Sequence, residues 1–314
     1  MMSSAPDNGP STSSTTTSRT DPPTRRDGEA LAAAFPPLLV AADHVASTVA
    51  QGVHGRRRVG QGETFWQYRR FEYGDSPQQI DWRRSARSDQ LFVRQTEWEA
   101  AQSIWLWPDL TASMRYRSHR NLLEKQERAA VLTLALASLL TRGGERIALL
   151  DKPERPATGR AALDRVALSI LRDMARDPVH ENLPQPPPLP RFSTVVLISD
   201  FLVEETQLVD LLGRIAARGV RGHLVQVLDP SETSMPFRGR TRFRGLEAEG
   251  ELLVGRAESL RDDYLGRLDS LQDCLQTFAR RADWTYALHQ TDAPPEPALL
   301  GLFAAMTEAQ HARS

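Results

Sequence analysis

Asp109, Thr111 and Ser113 place a carboxylate and two hydroxyls at alternate positions, directly after the apolar stretch Ser103–Trp107. A second acid, Asp200, follows Ser199 at the end of the apolar run Thr194–Ile198. Oxygen-only donors suit a hard divalent cation: Mg2+ takes an octahedral oxygen shell at about 2.1 Å and keeps several waters. Two neutral hydroxyls, with carboxylates acting directly or through water, also leave one coordination position for an outside carboxylate. The same string can be local structure, with Asp109 capping the next helix and the hydroxyls serving a turn. Position favours the metal reading, because both acids terminate strand-like runs.

Signals for catalysis are fewer. There is no Gly-x-x-x-x-Gly-Lys-Ser/Thr phosphate loop and no Gly-x-Ser-x-Gly nucleophile elbow. His223 and His289 have no second histidine at ligand spacing. The only cysteine, Cys274, excludes an internal disulfide and a cysteine zinc cluster. Its neighbours Leu271, Leu275 and Phe278 give it a place on a helical apolar face. Two-metal hydrolysis asks for more converging acids or histidines than these strand ends supply. A metal-dependent hydrolase or nuclease using Asp109 and Asp200 is therefore the alternative, and a non-enzymatic binding module the leading expectation.

The elements that must position these residues alternate along the chain. Extended apolar runs at 103–107, 146–150, 194–198, 222–228 and 284–288 are separated by helical patterns at 121–141, 160–176, 204–217 and 260–282, with a last helix from Pro297. Strands separated by helices imply a mostly parallel sheet with helices on both faces, an α/β fold, with binding residues just beyond the carboxyl ends of strands. Residues 230–255 form a Gly/Arg-rich excursion with two short strands. Residues 1–28 hold 16 Ser, Thr or Pro, too little apolar surface to offset ordering entropy, so a disordered tail is expected. Residues 29–100 form an N-terminal segment in which Pro36-Pro37 is expected to break one helix from the next at Leu38–Ala50. Residues 101–308 form the α/β domain. With 314 residues, a net charge of −1 and no run of the roughly 20 apolar residues a bilayer requires, the chain reads as a cytoplasmic protein.

Between Arg56 and Arg94 nine arginines face five carboxylates, interleaved with Phe65, Trp66, Tyr68, Phe71, Tyr73 and Trp82. Strand alternation at 64–71 and 91–98 flanks the turn Tyr73-Gly74-Asp75-Ser76-Pro77. Basic and aromatic residues together can bind nucleic acid. Intermixed acids favour a lattice in which Arg69, Arg83 and Arg87 pair with Glu63, Asp75 and Asp81, with Trp82 packed as an anchor onto the domain. The segment Gly62-Glu63, Tyr73-x-Asp75 and Ile80-Asp81-Trp82-Arg83-x-Ser85-Ala86-Arg87 resembles the signature of domain-of-unknown-function family 58. A strand ending in Asp-x-Thr-x-Ser with a later strand ending in Ser-Asp is similar to the metal-ion-dependent adhesion site of von Willebrand factor A domains. The resemblance spans about residues 50–305. It implies a von Willebrand factor A-like fold, Mg2+ at Asp109, Thr111, Ser113 and Asp200 with Thr158 as the third-loop ligand, and a MoxR-type AAA+ ATPase as partner. Three departures stand out: Gln78-Gln79 where an arginine is expected before Ile80, Thr111 in place of the first serine, which preserves the hydroxyl, and Trp107-Pro108 where a plain aliphatic should lead into the metal loop.

Overall fold

The computed structural model describes residues 25–54, 64–71, 80–87, 90–97, 102–176, 183–244 and 251–311. Gly62, Glu63, Tyr73 and Asp75 of the signature lie outside these residues, as do residues 1–24.

Five strands, β3 (Ser103–Pro108), β4 (Arg146–Leu149), β5 (Thr194–Ser199), β6 (Arg221–Leu228) and β9 (Thr285–Gln290), form one sheet in the order β4-β3-β5-β6-β9. Every neighbouring pair is parallel. Alternation along β3 sorts its side chains between two layers. Ile104 and Leu106 join the core built with α1 (Arg25–His54), α3 (Lys125–Arg142), α4 (Arg160–Met174) and α8 (Pro295–His311). Trp105 and Trp107 point into the opposite core with α5 (Glu205–Ala216) and α7 (Glu258–Ala282). The sequence reading of an α/β fold with a parallel sheet covered on both faces is what the structure has. No helix among the described residues is long and apolar enough to cross a membrane.

The N-terminal segment differs from expectation in one respect. α1 runs unbroken through Pro36-Pro37. Each proline removes one backbone N–H donor and crowds the preceding turn, but Ala42, Val45, Ala46 and Val49 bury one face of the same helix against the core that contains α3. Tertiary packing outweighs the local penalty, and α1 is a layer of the α/β unit, on the far side of the boundary at residue 100 drawn from composition. β1 (Thr64–Arg70) and β2 (Phe92–Glu97), the strands expected from alternation, pair antiparallel. β7 (Thr241–Arg244) and β8 (Glu251–Val254) supply the hairpin of the excursion.

Between β3 and β5 the strand order reverses. The chain leaves β3 through α3 on one face to reach β4, and leaves β5 through α5 on the other face to reach β6. At such a point the two connections diverge and open a crevice beyond the carboxyl edge. Asp109 and Asp200 are the residues immediately past these two strands.

Candidate cation site at the carboxyl edge

Pro108 has no amide hydrogen, yet it sits inside the sheet. Backbone groups alternate sides along a strand, and the Asp109 N–H donates to Ile198 O of β5 at 2.8 Å while Leu106 O accepts from Leu150 N at 2.9 Å on the β4 side. Pro108 therefore faces the β4 side, one step after that ladder ends, where no donor is needed. The departure Trp107-Pro108 leaves the entry to the loop intact.

The loop then folds around its own acid. Asp109 Oδ1 accepts from Thr111 N (2.9 Å) and from Thr111 Oγ1 (2.6 Å), and Oδ2 accepts from Ser199 Oγ (2.6 Å). Ser199 Oγ in turn accepts from Phe201 N at 2.9 Å. Asp109, Thr111 and Asp200 are buried, whereas Ser113 is half-exposed at the mouth. Burial, and after it the charge of Asp200, raise the Asp109 carboxyl to about 7, against the hydrogen bonds from Ser199 and Thr111 that lower it. The structure thus brings Asp109, Thr111, Ser113 and Asp200 to one edge.

Thr158 is not among them. The antiparallel bridge Ile147↔Ala157 turns the chain back along β4, so Thr158 lies level with Arg146 and hence with Ser103. Six residues of parallel strand, about 20 Å, separate that level from Asp109. The threonine implied by the resemblance is at the amino end of the sheet.

Sequence reasoning missed a cation. Lys125, in the first turn of α3, is 1% exposed, and its Nζ lies 2.8 Å from Asp200 Oδ2 and 2.6 Å from Glu232 Oε1. A cation at a helix N-terminus opposes the helix dipole, and burial pulls its pKa down. The charges of Asp200 and Glu232, and the hydrogen bonds they accept, more than offset the burial and hold it above its ordinary value. Asp200 Oδ1 accepts from Leu202 N at 3.0 Å, and its backbone oxygen accepts from Gln226 Nε2 at 2.9 Å. Glu232 belongs to α6 (Pro230–Ser234), where a capping box ties it to Asp229: Asp229 N donates to Glu232 Oε2 at 2.8 Å. Asp229 Oδ2 accepts from Ser118 N at 2.9 Å, so the loop after Ser113 is tied to the same group. The Asp-Pro-x-Glu string was the readable trace of this capping box, but nothing in it pointed to Lys125.

Ligands at adjacent corners of a Mg2+ octahedron with bonds of about 2.1 Å are about 3.0 Å apart. Thr111 Oγ1 and Ser113 Oγ are 3.2 Å apart, so the hydroxyl pair fits one edge. Asp109 is fixed by three donors. Asp200 is of the right type but is engaged by Lys125. Among the described residues no cluster of three or more His, Cys, Asp or Glu is arranged to hold a metal by itself.

Beside Thr111 opens a cleft of about 570 Å³, lined by Trp107, Pro108, Leu110, Lys152, Ile170 and Arg176 among others. The signature segment lies elsewhere. Asp81 caps α2 (Trp82–Ser85) by accepting from Arg84 N at 3.0 Å, and Ser85 Oγ accepts from Phe92 N at 2.9 Å, with Ile80 buried. Trp82 is 63% exposed and Arg83, Ala86 and Arg87 are exposed. The anchor expected at Trp82 is instead Ile80 with Ser85, because the first turn of α2 directs the indole outward.

An uncharacterized protein of Mycobacterium tuberculosis is 26% identical over 262 residues, covering 76% of this chain and 78% of that protein. A counterpart in Mycobacterium bovis matches to the same extent. Among solved structures, an aerotolerance-related membrane protein of Bacteroides fragilis aligns at 13% identity and TM-score 0.39, over 66% of this chain and 100% of that one. BatB of Bacteroides thetaiotaomicron aligns at 13% identity and TM-score 0.37, over 67% and 100%. The family model for protein of unknown function DUF58 matches residues 67–270, well over half of the sequence, and the chain belongs to that family.

Proposed function

We propose that this protein is a non-catalytic interaction module with a von Willebrand factor A-like domain, whose strand-end site completes a Mg2+-dependent contact with a partner protein, a MoxR-type AAA+ ATPase being the partner that the family resemblance favours. The observation that carries the reading is the convergence of Asp109, Thr111, Ser113 and Asp200 at the crevice where the strand order reverses. Thr111 and Ser113 would hold the ion through their hydroxyls, and Asp109 and Asp200 would orient its waters. Bound there, the ion supplies an open position for a partner's carboxylate. The neighbouring cleft offers an apolar wall at Trp107 and Leu110 to the side chains flanking such an acid, while its cations Lys152 and Arg176 are paired with Asp173 of the same lining.

The group is poorly equipped for turnover. His223 and His289 are held by burial well below their ordinary values, to about 4, and His223 Nδ1 is engaged with Thr285 Oγ1 at 2.7 Å. Lys125 is held protonated by two acids, so it cannot serve as a base. Phosphatase, esterase and nuclease screens are expected to stay at background. A pull-down of a purified MoxR-type ATPase is expected to succeed in Mg2+ and fail with a chelator or with Asp109→Ala. Robust metal-dependent turnover abolished by Asp109→Ala would replace this proposal with the hydrolase.

A second reading is favoured by the exposure of Trp82 beside Arg83 and Arg87. An aromatic face flanked by guanidinium groups is a surface for nucleic acid. Single-stranded DNA binding that weakens steeply with salt and is lost in Trp82→Ala would support it.

A further inference from the structure

We propose that Lys125 is the site's tethered counter-ion: its ammonium holds the Asp200 carboxylate that a divalent cation seated on Thr111 and Ser113 would recruit, and it compensates part of the acidic charge of the resting site until that ion or a partner displaces it. The inference rests on the reading of the strand-end group as a cation site and names how that site is regulated.

Three observations carry it. First, Lys125 Nζ makes two short contacts, 2.8 Å to Asp200 and 2.6 Å to Glu232, and is buried almost completely. One buried ammonium bonded to two carboxylates compensates one of their two negative charges and holds both acids in place without an external ion. Second, Asp200 joins this pair to the hydroxyl loop: its neighbour Ser199 donates to Asp109, while its own carboxylate takes the lysine. An ion seated on Thr111 and Ser113 can recruit Asp200 only if that carboxylate gives up part of its bond to Lys125. Third, Glu232 is locked into the α6 capping box with Asp229, and Asp229 accepts from Ser118 in the loop that follows Ser113. Displacing Lys125 therefore changes the contacts of α6, which is joined to the stretch following the hydroxyl loop through Asp229–Ser118 and Ser231–Tyr116. Two short segments at the carboxyl edge are tied to one ammonium.

The consequence is that removing the lysine charge should turn a weak divalent site into a strong one. Two buried carboxylates would then face each other with no cation, and an added ion would supply it. The full chain and the Lys125→Met variant would be titrated with MgCl2 and MnCl2 by calorimetry, and their thermal unfolding recorded with and without each ion. Lys125→Met is expected to unfold at a lower temperature than wild type without divalent ions, to be restored by millimolar Mg2+, and to bind Mn2+ at least about tenfold more tightly. Wild type is expected to shift little. If Lys125→Met does not fold, Lys125→Gln, which keeps a donor toward Asp200 without the charge, is expected to show the same gain.

Equal affinities in wild type and variant would overturn the role of Lys125 while leaving Mg2+-dependent partner binding intact. A variant that no divalent ion rescues or binds would overturn both this inference and the metal reading. A gain in the variant with no Mg2+-dependent partner capture would leave Lys125 as the counter-ion and sink the interaction proposal.

Discussion

Replacing Asp109 by Ala or by Asn separates what the carboxylate does for the loop from what it does for an ion. In Asp109→Ala three buried donors lose their acceptor: Thr111 N–H, the Thr111 hydroxyl and the Ser199 hydroxyl, now bonded at 2.9, 2.6 and 2.6 Å. At about 1 kcal/mol for each, the variant should lose about 3 kcal/mol. Asp109→Asn keeps Oδ1 for both Thr111 donors, and its amide can donate to Ser199 Oγ, whose hydroxyl can turn away. It also removes a carboxylate that burial and the charge of Asp200 already disfavour. Asn should therefore stay within about 1 kcal/mol of wild type. Urea unfolding followed by fluorescence reads this well, because Trp105 and Trp107 lie on the strand that leads into the loop. Equal losses in the two variants would refute the account of Asp109 as the acceptor that organises the loop.

Trp82→Ala should cost no more than about 0.5 kcal/mol in a urea titration, since the indole is 63% exposed; a loss of several kcal/mol would restore the anchor. Gly222→Ala would place its Cβ 1.9 Å from the Trp284 ring, which is held by its Nε1 bond to Val220 O at 3.1 Å and an edge contact with Phe278. A loss of about 3 kcal/mol is expected, and a neutral variant would contradict the packing. His223 is buried with its pKa lowered from 6.5 to about 4. The unfolded chain thus binds a proton that the folded one refuses, and stability is lost as pH falls from 6.5 to 4. His223→Gln should remove on the order of 3 kcal/mol of that loss when unfolding is compared at the two pH values.

How much of this was readable depends on how far apart the partners lie in sequence. The strands were legible because Ser103–Trp107 and Thr194–Ile198 are uninterrupted apolar runs, and Asp109 and Asp200 stood out as the first acids past their ends. Thr111 and Ser113 followed from the same loop. Lys125 meets Asp200 and Glu232 across 75 and 107 residues, and a lysine at the start of an apolar helix carries no local mark of burial. Thr158 was misplaced because the return of the chain along β4 depends on one bridge between Ile147 and Ala157, which no periodicity announces. Pro36-Pro37 read as a break because local rules see the lost donors and cannot see the core that α1 joins. Trp82 read as an anchor because size and composition do not say which way the first turn of α2 points.

The most direct test of the central claim is the dissociation constant of the complex with a purified MoxR-type ATPase, measured against Mg2+ concentration for wild type and Thr111→Val. A chelator alone cannot decide it, because such an ATPase binds its nucleotide with Mg2+. Valine keeps the shape of Thr111 and its N–H bond to Asp109, deletes the hydroxyl that would touch the ion together with that hydroxyl's bond to Asp109, and leaves the ATPase unaltered, so an unchanged unfolding midpoint is read beside the binding. The account predicts Mg2+-dependent binding for wild type and a loss of at least about tenfold for Thr111→Val. Identical binding by both proteins at every Mg2+ concentration would contradict it.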